Sequence, residues 1–165
     1  MNTGIRIVPA DLAFIMDDLR WYSEAHPDYG QDIWAAQIPI ITNRVYSEHL
    51  GRGGIMEYPL EDVLAWSRPA PAYFHDNSIP YILAYAGMIG VERISLFGVD
   101  FSHANVSRVE AGREVATFWL GFLAGRGVTV EIASSSTLMQ THRRVNDPEF
   151  RPFYGYLAQP ILEAR

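Results

Sequence analysis

The sequence predicts a single α/β domain, spanning residues 1–165, with a mostly parallel sheet. Three observations predict this class. Of the 165 residues, 48% are apolar and none is cysteine, so one buried core can form without disulfides or thiolate metal sites. From Ala72 onward, strand-like and helix-like segments alternate, as in parallel sheets with right-handed crossovers. The early strand-like segments lack in/out alternation, which is typical of buried parallel strands.

The first half of the chain contains two predicted strands. Asp11 to Met16 and Gln37 to Thr42 are short apolar runs ended by polar residues. The aromatic, polar stretch between them predicts a helical turn plus a loop. Gly51 to Gly54 predicts a loop, and Leu60 to Ser67 has apolar residues at helical spacing, which predicts a short helix.

The second half predicts an alternation of three strands and two helices. Ala72 to His75 is the first strand, and Ile79 to Ile89 is a helix that should be buried because it is apolar nearly all round. Arg93 to Phe97 is the next strand, Val106 to Ala124 is a long helix, and Val128 to Ile132 is the last strand.

Polar residues follow every predicted strand. Ligands of open parallel sheets bind outside the carboxyl ends of the strands. We therefore expect these polar groups to gather along one edge of the sheet: Asp17 and Asp18, Asn43 and Arg44, His75 to Ser78, Asp100 to His103, and Ser134 to Thr137.

The residues Asp76, Asn77 and Ser78 are good helix N-cap types. They predict either an anion site, because free N–H groups and the helix dipole attract a phosphate, or plain capping. The sequence contains neither a GxGxxG fingerprint nor a P-loop.

Asp100, preceded by Gly98, could hold a ribose hydroxyl, a metal or a cationic group; the alternative is a cap on the turn after the strand. His103 has the chemistry of a general base, and Glu110 opens the next helix. The alternative roles are a solvated loop side chain for His103 and a favourable first-turn charge for Glu110.

Asp17 and Asp18 could bind a divalent ion such as Mg²⁺ through carboxylate oxygens, or could be a solvated turn. No other cofactor is predicted. The net charge of −6 argues against broad nucleic-acid binding. No apolar run approaches the length of a membrane span, and the first residues lack signal-peptide features, which predicts a cytoplasmic protein without a membrane partner.

The segment Asp76 to Asp100 resembles one shared by three related groups: uncharacterised tailed-phage proteins with a Rossmann-like fold, archaeal 6-hydroxymethyl-dihydropterin diphosphokinases with their bacterial relatives, and bacterial sialyltransferases that use CMP-sialic acid. The shared pattern is a polar residue plus Ser or Thr opening an apolar helix, then Gly, then a strand ending in G-x-D. Here these positions are Asn77, Ser78, Gly90, Gly98 and Asp100.

The tailed-phage group is similar over most of the chain, from Asp11 to Tyr156. Its further motifs correspond here to Met16-Asp17-Asp18, Glu110-Ala111-Gly112-Arg113, Trp119-Leu120-Gly121, Arg126-Gly127-Val128, Ser136-Thr137-Leu138 and Tyr154-Gly155-Tyr156.

The resemblance implies a Rossmann-like three-layer sandwich that lacks the usual first strand, encoded by a phage and acting in the host cytoplasm. It implies a site for a nucleotide or nucleotide-sugar. With the sheet-edge argument, the binding residues are Asn43, Asp76, Asn77, Ser78, Gly98, Ser136, Tyr154 and Tyr156.

The leading hypothesis is a glycosyltransferase-like transferase with Asp100, His103 and Glu110 as the catalytic set. In the sialyltransferases a histidine base follows the G-x-D strand; here Glu110 stands at the helix entry, and His103 is closer to the strand. Tyr154 and Tyr156 would stabilise the leaving group. The alternative is a non-catalytic nucleotide or metabolite binder.

A third hypothesis is pyrophosphoryl transfer to a pterin, which would require a metal held by Asp17, Asp18 and Asp100. Self-association is also compatible with the sequence. Several aromatic residues lie outside the clearest strands, and the missing first strand could leave a sheet edge open: Trp21, Tyr22, Trp34 and Trp66.

Overall fold

Five parallel strands and five α-helices form the part of the chain that this computed structural model describes, namely residues 9–35, 37–71, 74, 77–101, 106–136 and 138. In chain order they are β1 (Ala13–Ile15), α1 (Leu19–Ala25), α2 (Pro27–Ala35), β2 (Ile40–Thr42), β3 (Ile55–Glu57), α3 (Leu60–Ser67), α4 (Ser78–Met88), β4 (Arg93–Leu96), α5 (Val106–Gly125) and β5 (Thr129–Ile132), with a 3₁₀ helix at Ser47–Arg52 between β2 and β3.

The first three strands form one parallel sheet in the order β1-β2-β3. Phe14 pairs with Ile41, which pairs in turn with Met56. Because β2 lies between two neighbours, all three of its residues are buried. The continuous apolar character of Gln37 to Thr42 is therefore explained by its central position.

The last two strands, β4 and β5, form a second parallel pair with Leu96 opposite Ile132. One face of this pair contacts the core through Leu96 and Ile132. The other face is exposed, and there Glu131 accepts hydrogen bonds from Arg93 and from the Ser95 hydroxyl. Because this polar network is exposed to water, side chains along β4 and β5 alternate between buried and exposed. In a three-layer sandwich, by contrast, both faces of the sheet are covered.

Helix α5 carries the centre of the core on one face. Gly112, Ala116, Trp119 and Leu123 are spaced at intervals of three and four residues, and all four are buried. An aromatic cluster surrounds Trp119 and comprises Trp66, Phe74, Phe118 and Phe122. Helices α3, α4 and α5 thus share one hydrophobic core with both sheets.

Most predicted elements are confirmed, including the helix at Leu60–Ser67 and the strands now seen as β1, β2, β4 and β5. The prediction of a helical turn plus a loop between the first two strands was wrong, because the two helices α1 and α2 lie there. Strand β3 was missed. Helix α4 is only partly buried, and Ile89 just beyond it is 57% exposed. Of the predicted strand at 72–75, only Phe74 is described.

Gly87 of α4 lies in close contact with Leu123 of α5 and Trp66 of α3. A Cβ atom there would lie 2.4 Å from Leu123 Cδ2 and 2.4 Å from the Trp66 ring. We expect Gly87→Ala to destabilise the protein by about 1–2 kcal/mol net, since overpacking costs more than the gain in helix propensity. Urea denaturation measures this. Unchanged stability would show that the two helices separate easily.

None of the helices in the described ranges is long and apolar enough to cross a membrane.

Candidate functional site

The loop after β4 presents polar groups at the carboxyl edge of the β4–β5 pair. Gly98 and Asp100 are exposed, whereas Val99 and Phe101 alternate with them and are each only 9% exposed. Gly98 has a φ of 65°, in the left-handed region that glycine adopts without strain. The two buried anchors therefore hold Asp100 at the edge where the sequence predicted a ligand.

Ser136 ties the loop after β5 to the loop after β4. Its side chain is 2% exposed, and its hydroxyl donates to the carbonyl oxygen of Val99 over 2.5 Å. The Ser136 Oγ in turn accepts a hydrogen bond from the N–H of Leu138 at 3.1 Å. This geometry makes Ser136 a residue that positions the Asp100 loop, because its hydroxyl is already engaged inside the protein.

Asn77 connects the N-terminus of α4 to this edge. Its Oδ1 accepts the N–H of Ile79 at 2.9 Å, which is an N-cap. If Gly112 carried a Cβ atom, that atom would lie only 2.6 Å from Asn77 Nδ2 and 3.1 Å from Phe101 Cε1. The glycine in α5 thus lets Asn77 and Phe101 come together beside Asp100.

The N-terminus of α4 offers little to an anion by itself. Asn77 already occupies the N–H of Ile79, and Pro80 has none. Of the first three helical residues, only Ser78 keeps a backbone N–H for a ligand. A phosphate at this position would therefore need a further positive group.

Arg113 supplies a positive group at this edge. Its Nη2 donates to the carbonyl oxygen of Phe101 over 2.9 Å, while its buried Nε has no acceptor in the part of the chain described. An unsatisfied buried donor is costly, so an acceptor is expected there. Sequence reasoning placed Arg113 on the helix without assigning it to the site. Its signal in the sequence was its place in the Glu110-Ala111-Gly112-Arg113 motif.

A second polar cluster, which we call the Tyr46 cluster, lies at the carboxyl edge of β1 and β2. It comprises Asp18, Arg20, Tyr46 and Glu48. The Asp18 carboxylate accepts hydrogen bonds from the Tyr46 hydroxyl and from the backbone N–H of Arg20. The Tyr46 hydrogen bond is the main reason that the pKa of Asp18 is lowered. The Arg20 guanidinium carbon lies 3.6 Å from the centre of the Tyr46 ring.

The predicted metal pair separates within this cluster. Asp18 caps α1 and bonds Tyr46, whereas the Asp17 carbonyl accepts a long 3.5 Å hydrogen bond from Thr42. Within the described ranges, no group of three or more histidine, aspartate or glutamate side chains is placed to hold a metal. The Asp17 and Asp18 site stays a prediction without geometric support.

The other predicted residues at this edge of β2 are Asn43 and Arg44. Asn43 is exposed, and the Arg44 guanidinium lies 5.3 Å from the Tyr46 ring centre. Arg44 therefore lies beside the Tyr46 cluster, and the polar groups expected along one edge fall into two clusters, at Tyr46 and at Asp100. Seven of the predicted edge and site residues lie outside the described part of the chain, namely His75, Asp76, Ser102, His103, Thr137, Tyr154 and Tyr156. Glu110 lies on α5, but its side chain is not described.

The Tyr46 cluster gives the protein a specific acid sensitivity. The hydrogen bond from Arg20 lowers the pKa of Glu48 to about 2. Because this folded-state pKa lies below the ordinary value, the stabilisation is present above about pH 4.5 and is lost as pH falls toward 2. We expect Glu48→Gln to flatten the decline of urea midpoints between about pH 4.5 and 2. The exposed Glu24→Gln should leave that decline unchanged.

A cleft of about 320 Å³ lies at the opposite end of β4 and β5, among Trp66, Glu92 and Arg126. It adjoins the amino ends of these strands, so it is separate from the Asp100 edge.

Comparisons with protein-family models, with curated proteins and with solved structures each gave no match for this chain.

Proposed function

We propose that the chain binds a nucleotide or nucleotide-sugar at the carboxyl edge of β4 and β5 and transfers a group from it, as a phage-type, glycosyltransferase-like enzyme on a Rossmann-like fold. The observation that carries this proposal is the convergence of Asn77 and Arg113 on Phe101, directly beside Asp100. A carboxylate, a cation and a helix N-terminus at the end of parallel strands suit the parts of a nucleotide.

Each group has a distinct task in this proposal. The Asp100 carboxylate accepts hydrogen bonds from ribose hydroxyls. Arg113 neutralises a phosphate that lies near the N–H of Ser78, and its charge is needed because the helix terminus has few free donors. In transfer, the same cation stabilises the negative charge that develops on the leaving phosphate.

Thermal unfolding with added CMP, UDP and their sugar conjugates tests the binding. At a ligand concentration of 100 times Kd, a stabilisation of about 2.7 kcal/mol is expected. Asp100→Ala should abolish the shift, whereas Asp62→Ala, which removes an exposed carboxylate on α3, should keep it. Wild-type protein that shows no shift with any of these ligands would contradict the proposal.

Turnover separates the proposed enzyme from the alternative of a non-catalytic binder. Release of free sugar or transfer to an added acceptor, followed by chromatography, supports the enzyme. Protein that retains the nucleotide unchanged supports the binder. Pyrophosphoryl transfer to a pterin would instead show dependence on Mg²⁺.

The proposed setting is the host cytoplasm, and the proposed assembly is a homo-oligomer. The exposed Trp21 and the exposed Met56 on strand β3 support self-association, since they are large apolar side chains, 56% and 45% exposed. Light scattering on a sizing column gives the mass. A monomer at high concentration would contradict the proposed assembly.

A further inference from the structure

Phe97 is a large apolar side chain that lies open to water at the candidate site. It is 77% exposed, more than any other large hydrophobic residue in the described ranges. It follows the last residue of β4 and immediately precedes Gly98. An exposed aromatic ring offers a flat face on which a planar group of a ligand can stack.

The surroundings hold Phe97 in this exposed position. Leu96 before it and Val99 after it are both buried, and the Val99 carbonyl is fixed by Ser136. A Cβ on Gly98 would meet nothing within 4 Å outside its chain neighbours, so the space at the residue next to Phe97 is open. The backbone on either side of Phe97 is therefore held in place, while its ring is accessible to a ligand.

Phe97 is also close to Asp100. Three consecutive Cα–Cα steps separate them, so their α-carbons lie at most about 11 Å apart. A nucleoside has a flat aromatic base on one side of its ribose and hydroxyl groups on the other. A ring and a carboxylate at this separation offer both of the contacts that such a molecule can use.

We propose that Phe97 is the platform on which the base of the nucleotide stacks. This inference rests on the proposed function and identifies the ligand as one with an aromatic base, in place of a bare sugar phosphate. Every base has a π-face, so stacking gives affinity with little selection among bases. The site should therefore accept several nucleotides with similar affinity.

The test measures Kd by calorimetry for CMP and for ribose 5-phosphate, which keeps the ribose and phosphate but lacks the base. We expect Phe97→Ala to weaken CMP binding about tenfold and to change ribose 5-phosphate binding less than twofold. Phe97→Trp should restore CMP affinity, since it keeps a stacking surface. Ile89→Ala is the matched control, because Ile89 is 57% exposed at the other end of β4.

The outcomes separate this inference from the proposed function. If Asp100→Ala weakens both ligands while Phe97→Ala weakens neither, the site binds nucleotides and the stacking role is wrong. If Phe97→Ala lowers the mass in solution and leaves CMP affinity intact, the ring covers a contact between copies of the chain, and the inference is overturned. If wild-type protein does not bind CMP or UDP, both proposals fail.

Discussion

Replacing Trp119 by alanine is expected to reduce the free energy of unfolding by about 3–5 kcal/mol. The side chain is fully buried at 0% exposure. Its ring centre lies 5.4 Å from Phe74, 5.5 Å from Phe122 and 6.4 Å from Trp66. Removing it leaves a cavity among rings that come from separate parts of the chain, and rigid neighbours of this size cannot close it fully.

Denaturant titration of Trp119→Ala gives the loss, and Trp21→Ala is the matched control. Trp21 is the same residue type but is 56% exposed, so its removal should change stability by about 0.5 kcal/mol or less. Equal losses in the two variants would mean that the aromatic cluster does not hold the core together. A loss confined to Trp119 would establish α5 as the central helix.

The elements that could be predicted from sequence were those long enough to show a periodic spacing of apolar residues. Leu60–Ser67 shows helical spacing over eight residues, and its bounds were predicted correctly. Strand β3 has only three residues after two glycines, which is too short to show a period. In the α1–α2 stretch, where a helical turn plus a loop was predicted, Pro27 is the first residue of α2, a position that proline fits well.

At the candidate site, Asp100 and Asn77 could be predicted because each stands next to a strand or helix end in the sequence. Arg113 and Phe97 were missed for two different reasons. The contact of Arg113 with the Phe101 carbonyl spans 12 residues and depends on how α5 packs. Phe97 was read as an ordinary apolar strand residue, because its 77% exposure depends on tertiary structure alone.

One face of α5 links the core to the candidate site. Gly112, Ala116, Trp119 and Leu123 lie along it, so the side chains grow from none at all beside Asn77 to the large ring of Trp119. At Gly112, the absence of a side chain lets Asn77, the N-cap of α4, and Phe101 approach α5. At Trp119 and Leu123, the large side chains fill the core. Packing on this face therefore determines the position of Asn77 relative to Asp100.

Gly112→Leu is expected to affect stability and ligand binding together. Even a Cβ at this position would lie 2.6 Å from Asn77 Nδ2 and 3.1 Å from Phe101 Cε1, so a leucine must displace both. We expect a loss of about 3 kcal/mol in unfolding free energy, at the upper end for overpacking. Asn77 would lose its capping position, and nucleotide affinity should fall more than tenfold because the site depends on this close approach.

The matched control is Gly121→Leu on the same helix. Gly121 is exposed, and a Cβ there would meet nothing within 4 Å, so the change should raise stability by up to about 1 kcal/mol through helix propensity. Urea denaturation and CMP titration of both variants separate the effects. Gly112→Leu with lower stability and normal CMP affinity would place the ligand elsewhere. Loss of affinity in Gly112→Leu alone would tie binding to the contact between α5 and Asn77, because leucine is added to the same helix in both variants.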